Sequence, residues 1–130
     1  METADSDKIG SIGWCMGGGY SLKTALEVPD LSACVICYGR LITDNDKLKK
    51  INCPLLGIFG ENDRNITTDN VHEFKNSLNQ TGINNKIFIY PGAGHAFMNP
   101  GNDALYNKEA ASEAWNQIYS FLSRNLKAGD

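Results

Sequence analysis

The stretch GWCMGGGYSLKTAL, Gly13 to Leu26, sets a cysteine among glycines between two kinds of segment. Before it lies Lys8 to Gly13, which reads as a short strand. After it Gly17 to Glu27 reads as a helix that ends near Pro29. A side chain at so tight a strand-to-helix turn has two explanations. It is a nucleophile held up by a sharp turn, or a small filler in a loop that brings backbone close to something else.

Working outward, the rest of the chain alternates in the same way. Ser32 to Tyr38 reads as a strand, and Thr43 to Lys50 as a short helix with Asp44 and Asp46 near its start and Lys47, Lys49 and Lys50 near its end, which suits the helix dipole. Leu55 to Gly60 reads as a third strand and Asp69 to Gln80 as a helix closed by Gly82. Lys86 to Tyr90 reads as a fourth strand, stopped by Pro91-Gly92. The last helix is expected over Ala104 to Leu126, where Ala111, Ala114, Trp115, Ile118, Phe121 and Leu122 form one apolar face. Four strand-helix units predict an α/β fold of three layers, α/β/α, around a mainly parallel sheet. The 130 residues suit one domain, 1–130, with no repeat or linker.

Composition narrows the function. The chain is 42% apolar and 21% charged, so a packed core is expected. A net charge of −3, with both signs interleaved, gives no basic stripe for nucleic acid. No apolar run reaches membrane-spanning length. METADSDK is polar and carries no leader signal, so a cytoplasmic location with free thiols is expected. No metal-ligand spacing or cofactor motif is present. The glycine run is neither G-x-G-x-x-G nor a Walker A sequence, which argues against nucleotide binding.

In a parallel sheet, function gathers where the strands end at their carboxyl side. There the sequence places Cys15, then Glu61 and Asp63, then His95, each on a loop with glycine just before it. Thiol, carboxylate and imidazole follow in the order of an α/β-hydrolase triad, and the first turn has the form of its nucleophile elbow, with cysteine for serine. Cys15 is the candidate nucleophile, His95 the base, and Asp63, favoured by position over Glu61, the acid. Gly13 and Gly17 are expected to relieve crowding in the turn, and the start of the helix to favour the thiolate. The amide of Met16 is the candidate oxyanion donor. Trp14, Arg40, Arg64, Ala96 and Phe97 are candidate substrate contacts, although Trp14 also suits a core and either arginine a solvated loop. Cys34, Cys37 and Cys53 read as buried fillers. Cys34 and Cys37 form a C-x-x-C whose odd spacing on a strand sends them to opposite faces. His72 reads as a mid-helix surface or packing residue.

Ile12-Gly13-Trp14-Cys15-Met16-Gly17-Gly18, Gly60-Glu61-Asn62-Asp63 and Pro91-Gly92-Ala93-Gly94-His95-Ala96-Phe97 together resemble the dienelactone hydrolase family of α/β hydrolases. Tyr106, Glu109 to Ala111 and Ala114-Trp115 extend the likeness. The resemblance implies hydrolysis of an ester or lactone through a cysteine acyl intermediate. It implies a partial α/β-hydrolase fold of about four strands, because family members place earlier strands before the elbow. Those strands carry a second oxyanion amide, a glutamate beside the resting thiol and a substrate-binding arginine. Ala96 stands where a serine is common. The chain therefore resembles the C-terminal half of the family fold. Its activity is expected to be weak, and the rival reading is an impaired fragment that binds or structures. The first strand is expected at a sheet edge, inviting a homo-oligomer or a partner that supplies the missing half.

Overall fold

The computed structural model describes residues 8–102 and 104–126. Its elements are β1 (Gly10–Trp14), α1 (Met16–Glu27), β2 (Ala33–Cys37), α2 (Asn45–Leu48), β3 (Leu55–Gly60), α3 (Thr68–Gln80), β4 (Asn85–Tyr90) and α4 (Lys108–Leu126). The four strands are parallel and lie in chain order, β1-β2-β3-β4, so β1 is an edge. Gly10 pairs with Ala33, Cys34 with Leu55, and Leu55 with Asn85. The fold is a four-stranded parallel sheet flanked by helices, consistent with a partial α/β-hydrolase fold.

Strand alternation makes the two faces. Cys34, Ile36, Leu55 and Phe59 join Leu22, Leu48 and Phe74 in the core beneath α1, α2 and α3. Val35, Cys37, Leu56 and Ile58 turn the other way, onto Ala114, Ile118 and Phe121 of α4. β2 and β3 are buried on both sides, which is why their sequences read as unbroken apolar runs. Cys34 and Cys37 do fall on opposite faces. Burial pushes the thiols of Cys37 and Cys53 up to about 12, as suits inert fillers.

A polar cluster pins α1 to the sheet. Ser21 Oγ donates to the Val35 carbonyl at 2.9 Å and shares a hydrogen bond of 2.8 Å with Ser11 Oγ.

Two helix starts differ from the sequence expectation by more than one residue, each for a capping reason. α4 begins at Lys108 rather than Ala104, because the Asn107 side chain accepts from Ala110 N at 3.1 Å and its carbonyl from Ala111 N at 2.8 Å. α2 shrinks to Asn45–Leu48 behind Asp44, whose carboxylate accepts from Asp46 N at 2.9 Å. Among the described residues, no helix is long and apolar enough to cross a membrane.

Candidate active site

The turn between β1 and α1 is built by close backbone approach. A Cβ on Gly13 would lie 1.9 Å from the Gly17 carbonyl oxygen, so only glycine fits there. Gly17 itself meets nothing within 4 Å, which corrects the expectation that it relieves the turn. The second tight contact is one helical step on. A Cβ on Gly18 would come within 2.8 Å of Gly39 Cα, so the loop after β2 lies directly on α1.

Cys15 occupies the turn in left-handed backbone, φ 54° and ψ −121°. Its amide donates to the Cys37 carbonyl at 3.0 Å, continuing the β1–β2 ladder by one step. Its thiol does not cap α1, which has no side-chain cap. The Met16 amide is the first of the helix, where α1 itself offers no acceptor.

Asp63 and His95 meet across the next two loops. His95 Nδ1 lies 2.7 Å from Asp63 Oδ2. The other carboxylate oxygen accepts from Asn65 N at 2.8 Å and Ile66 N at 3.0 Å. The Asp63 side chain is only 1% exposed and the His95 side chain 30%, so the carboxylate is fixed while the ring still reaches the cleft. Glycine sets this meeting too. A Cβ on Gly60 would strike the Ala93 carbonyl oxygen at 2.4 Å, and the same oxygen accepts from Asn62 N at 2.8 Å. Glu61, the competing acid, is exposed and accepts from Gly92 N at 3.4 Å instead.

Cys15 and His95 line one cleft of about 750 Å³. No hydrogen bond joins them among the described residues. Burial pushes the Cys15 thiol above its ordinary value, and the Asp63 carboxylate pushes it further. Burial and the Asp63 charge therefore both act against the thiolate that the helix start is expected to favour.

Of the candidate substrate contacts, Arg40 lines the cleft. The other four do not. Trp14 packs on Trp115 with ring centroids 5.6 Å apart, and Phe97 is fully buried against Tyr38 and Tyr90. Arg64 is exposed outside the cleft, and Ala96 lies against the α4-side core. Tyr38 was missed by sequence reasoning. It directly follows β2 at the same edge, lines the cleft and meets the His95 ring edge-on at 5.4 Å. The one available signal was its place directly after an apolar strand and before Gly39.

Among the described residues, no group of three or more His, Cys, Asp or Glu side chains could hold a metal ion.

A sequence profile of the dienelactone hydrolase family matches residues 1–126. The chain belongs to the dienelactone hydrolase family. It is 38% identical to a Saccharolobus solfataricus protein named as a carboxymethylenebutenolidase, over 92% of this chain and 46% of that one. It is 31% identical to an Aquifex pyrophilus protein named usf, over 92% of this chain and 52% of that one. A Klebsiella pneumoniae structure described as a dienelactone hydrolase superposes with a TM-score of 0.80 at 29% identity, over 86% of this chain and 50% of that one. The chain thus spans about half the length of the curated relatives it matches.

Proposed function

We propose that this member of the dienelactone hydrolase family carries the reacting groups of an ester or lactone hydrolase, with Cys15 as nucleophile, His95 as base and Asp63 as orienting acid. The observation that carries the reading is the 2.7 Å pair of His95 Nδ1 and buried Asp63, on the cleft that Cys15 also lines. With its Nδ1 proton held by the carboxylate, the imidazole offers Nε2 as the basic nitrogen.

The raised thiol shapes the mechanism. A resting thiolate is disfavoured, so His95 takes the thiol proton as sulfur attacks the carbonyl carbon. Met16 N–H donates to the oxyanion. Collapse expels the alkoxide, which takes the proton from His95 and leaves a thioester on Cys15. Water then attacks the thioester, giving its proton to His95, and the acid departs as the thiol is restored. Lack of a second oxyanion donor would cost about 10²–10³ in turnover, so the chain acting alone is a weak hydrolase. Small-molecule esters and lactones are the proposed substrates, and the proposed setting is cytoplasmic.

A second reading, an impaired hydrolase fold that binds or structures, is favoured by the same raised thiol. p-Nitrophenyl acetate separates the two. Release of p-nitrophenol should be abolished by Cys15→Ala and fall about 10²–10⁴-fold in His95→Ala. Release that survives Cys15→Ala would overturn the assignment of the nucleophile, and no release above background would favour the binding module.

A further inference from the structure

The cleft extends well beyond the thiol, and its far part is cationic. Met16, Tyr20, Lys23 and Glu27 line it from one face of α1. At a rise of about 1.5 Å per residue, Lys23 stands about 12 Å along the helix from Cys15. Arg40 enters lower down: its Cβ is 3.6 Å from the position a Cβ on Gly19 would occupy, because the Gly18–Gly39 contact lays that loop on α1. Lys47 of α2 and Lys50 just after it line the same cleft. Among the described residues, none of these four cations forms an ion pair, and Glu27 is the one carboxylate on the lining. Leu26, Ile42 and Ile66 supply apolar wall between the charges.

Four cations gathered on one concave surface repel one another and concentrate anions. A single carboxylate leaves most of that charge unmatched. A phosphate monoester brings nearly two negative charges and three acceptor oxygens, which suit an arginine fork and several ammonium groups together.

We infer that this cleft binds esters whose far end bears a phosphate monoester, with an apolar spacer of about 6–12 Å between the acyl carbonyl and the phosphorus. The phosphate sits among Arg40, Lys23, Lys47 and Lys50. Only the placement of the carbonyl at Cys15 rests on the hydrolase reading; the phosphate subsite stands without it.

The test is therefore a binding measurement on the Cys15→Ala chain. Amide NMR shifts are followed during titration with octyl phosphate below its micelle concentration, and with octanoate and octanol at the same ionic strength. Octyl phosphate should bind at least tenfold more tightly than either, shifting amides at Lys23, Arg40 to Ile42 and Lys47 to Lys50. Lys47→Ala/Lys50→Ala should lose about tenfold for octyl phosphate while keeping its octanol affinity, which reports an intact cleft. Equal affinity for octyl phosphate and octanol, or a double variant that binds octyl phosphate unchanged, overturns the subsite. So does stronger attachment to phosphatidic acid vesicles than to octyl phosphate, which would make the cations a membrane-facing surface. Hydrolysis without any phosphate preference would sink this inference alone and leave the hydrolase reading standing.

Discussion

Among the described residues, three other than glycine hold left-handed backbone: Cys15 at φ 54°, Tyr38 at φ 38° and Ala96 at φ 60°. They sit after β1, after β2 and after His95, on the three loops that frame the cleft. Strain of this kind costs roughly 1–3 kcal/mol each and persists where the surroundings fix it. The glycines around them do that fixing, and they differ in what they tolerate. Gly13→Ala should destabilise the chain by about 2–4 kcal/mol in urea unfolding, because its methyl would overlap the Gly17 carbonyl. Gly17→Ala should be neutral or stabilise by up to about 1 kcal/mol, being helical and unobstructed. Equal costs at both would mean that the turn is not built as described. The thiol gives a second expectation. Its folded-state value lies above that of an ordinary thiol, so iodoacetamide labelling of Cys15 should be slow near neutrality and rise with pH to a midpoint above the usual thiol range of about 8.5. Asp63→Asn removes the repelling charge and should lower that midpoint. A midpoint below 8 in the unmodified chain would show that the helix start wins after all.

At the scale of elements, the sequence was legible where one physical signal dominated. Unbroken apolar runs marked β2 and β3, and i, i+3, i+4 spacing marked the face of α4 that buries Ala111, Ala114, Ile118 and Phe121. Thr67, which accepts from Asn70 N, and Gly82 at φ 75° bound α3 to within a residue of expectation. The chain order of thiol, acid and imidazole placed Cys15, Asp63 and His95 on loops after strands, and they follow β1, β3 and β4. What was not legible depends on contacts between distant residues. The Gly18–Gly39 and Gly60–Ala93 approaches join segments that no local pattern links, so the place of Arg40 over α1 could not be read, and Asp63 could be favoured over Glu61 by position alone, without the hydrogen bonds that hold it. The Phe97 side chain turned into the core because Tyr38 and Tyr90 pack on it there, while Trp14, for which a core place was one reading, is half-buried against Trp115 of α4. The start of α4 was misread because apolar periodicity runs past the cap. Asn107→Ala should cost about 1 kcal/mol, or about 3–5 °C in thermal midpoint. A shift under 1 °C would mean that Asn107 does not set the boundary.

For the whole molecule, the exposed feature that governs assembly is the edge at β1. That strand pairs only with β2 among the described residues. Ile9 is 62% exposed and Ile12 37% exposed, where an interior strand would be covered on both sides. Trp14, at the end of that strand, packs at a tilt against Trp115, and Trp115 lies 5.7 Å from Tyr119, which is 66% exposed. An unpaired strand edge with exposed apolar side chains attracts further strands. The chain also spans only about half the length of its relatives. We therefore expect the isolated chain to self-associate at micromolar concentration, with light scattering showing mass that falls on dilution. Ile12→Lys places a charge on the edge and should shift the population toward monomer without lowering stability by more than about 0.5 kcal/mol, since the position is already exposed. A polypeptide that supplies strands for this edge should compete with self-association and protect the amides of Ile9 to Ile12 from exchange. A chain that stays monomeric at micromolar concentration with those amides already protected would show that its own residues cover the edge, and the expectation of a partner would fall.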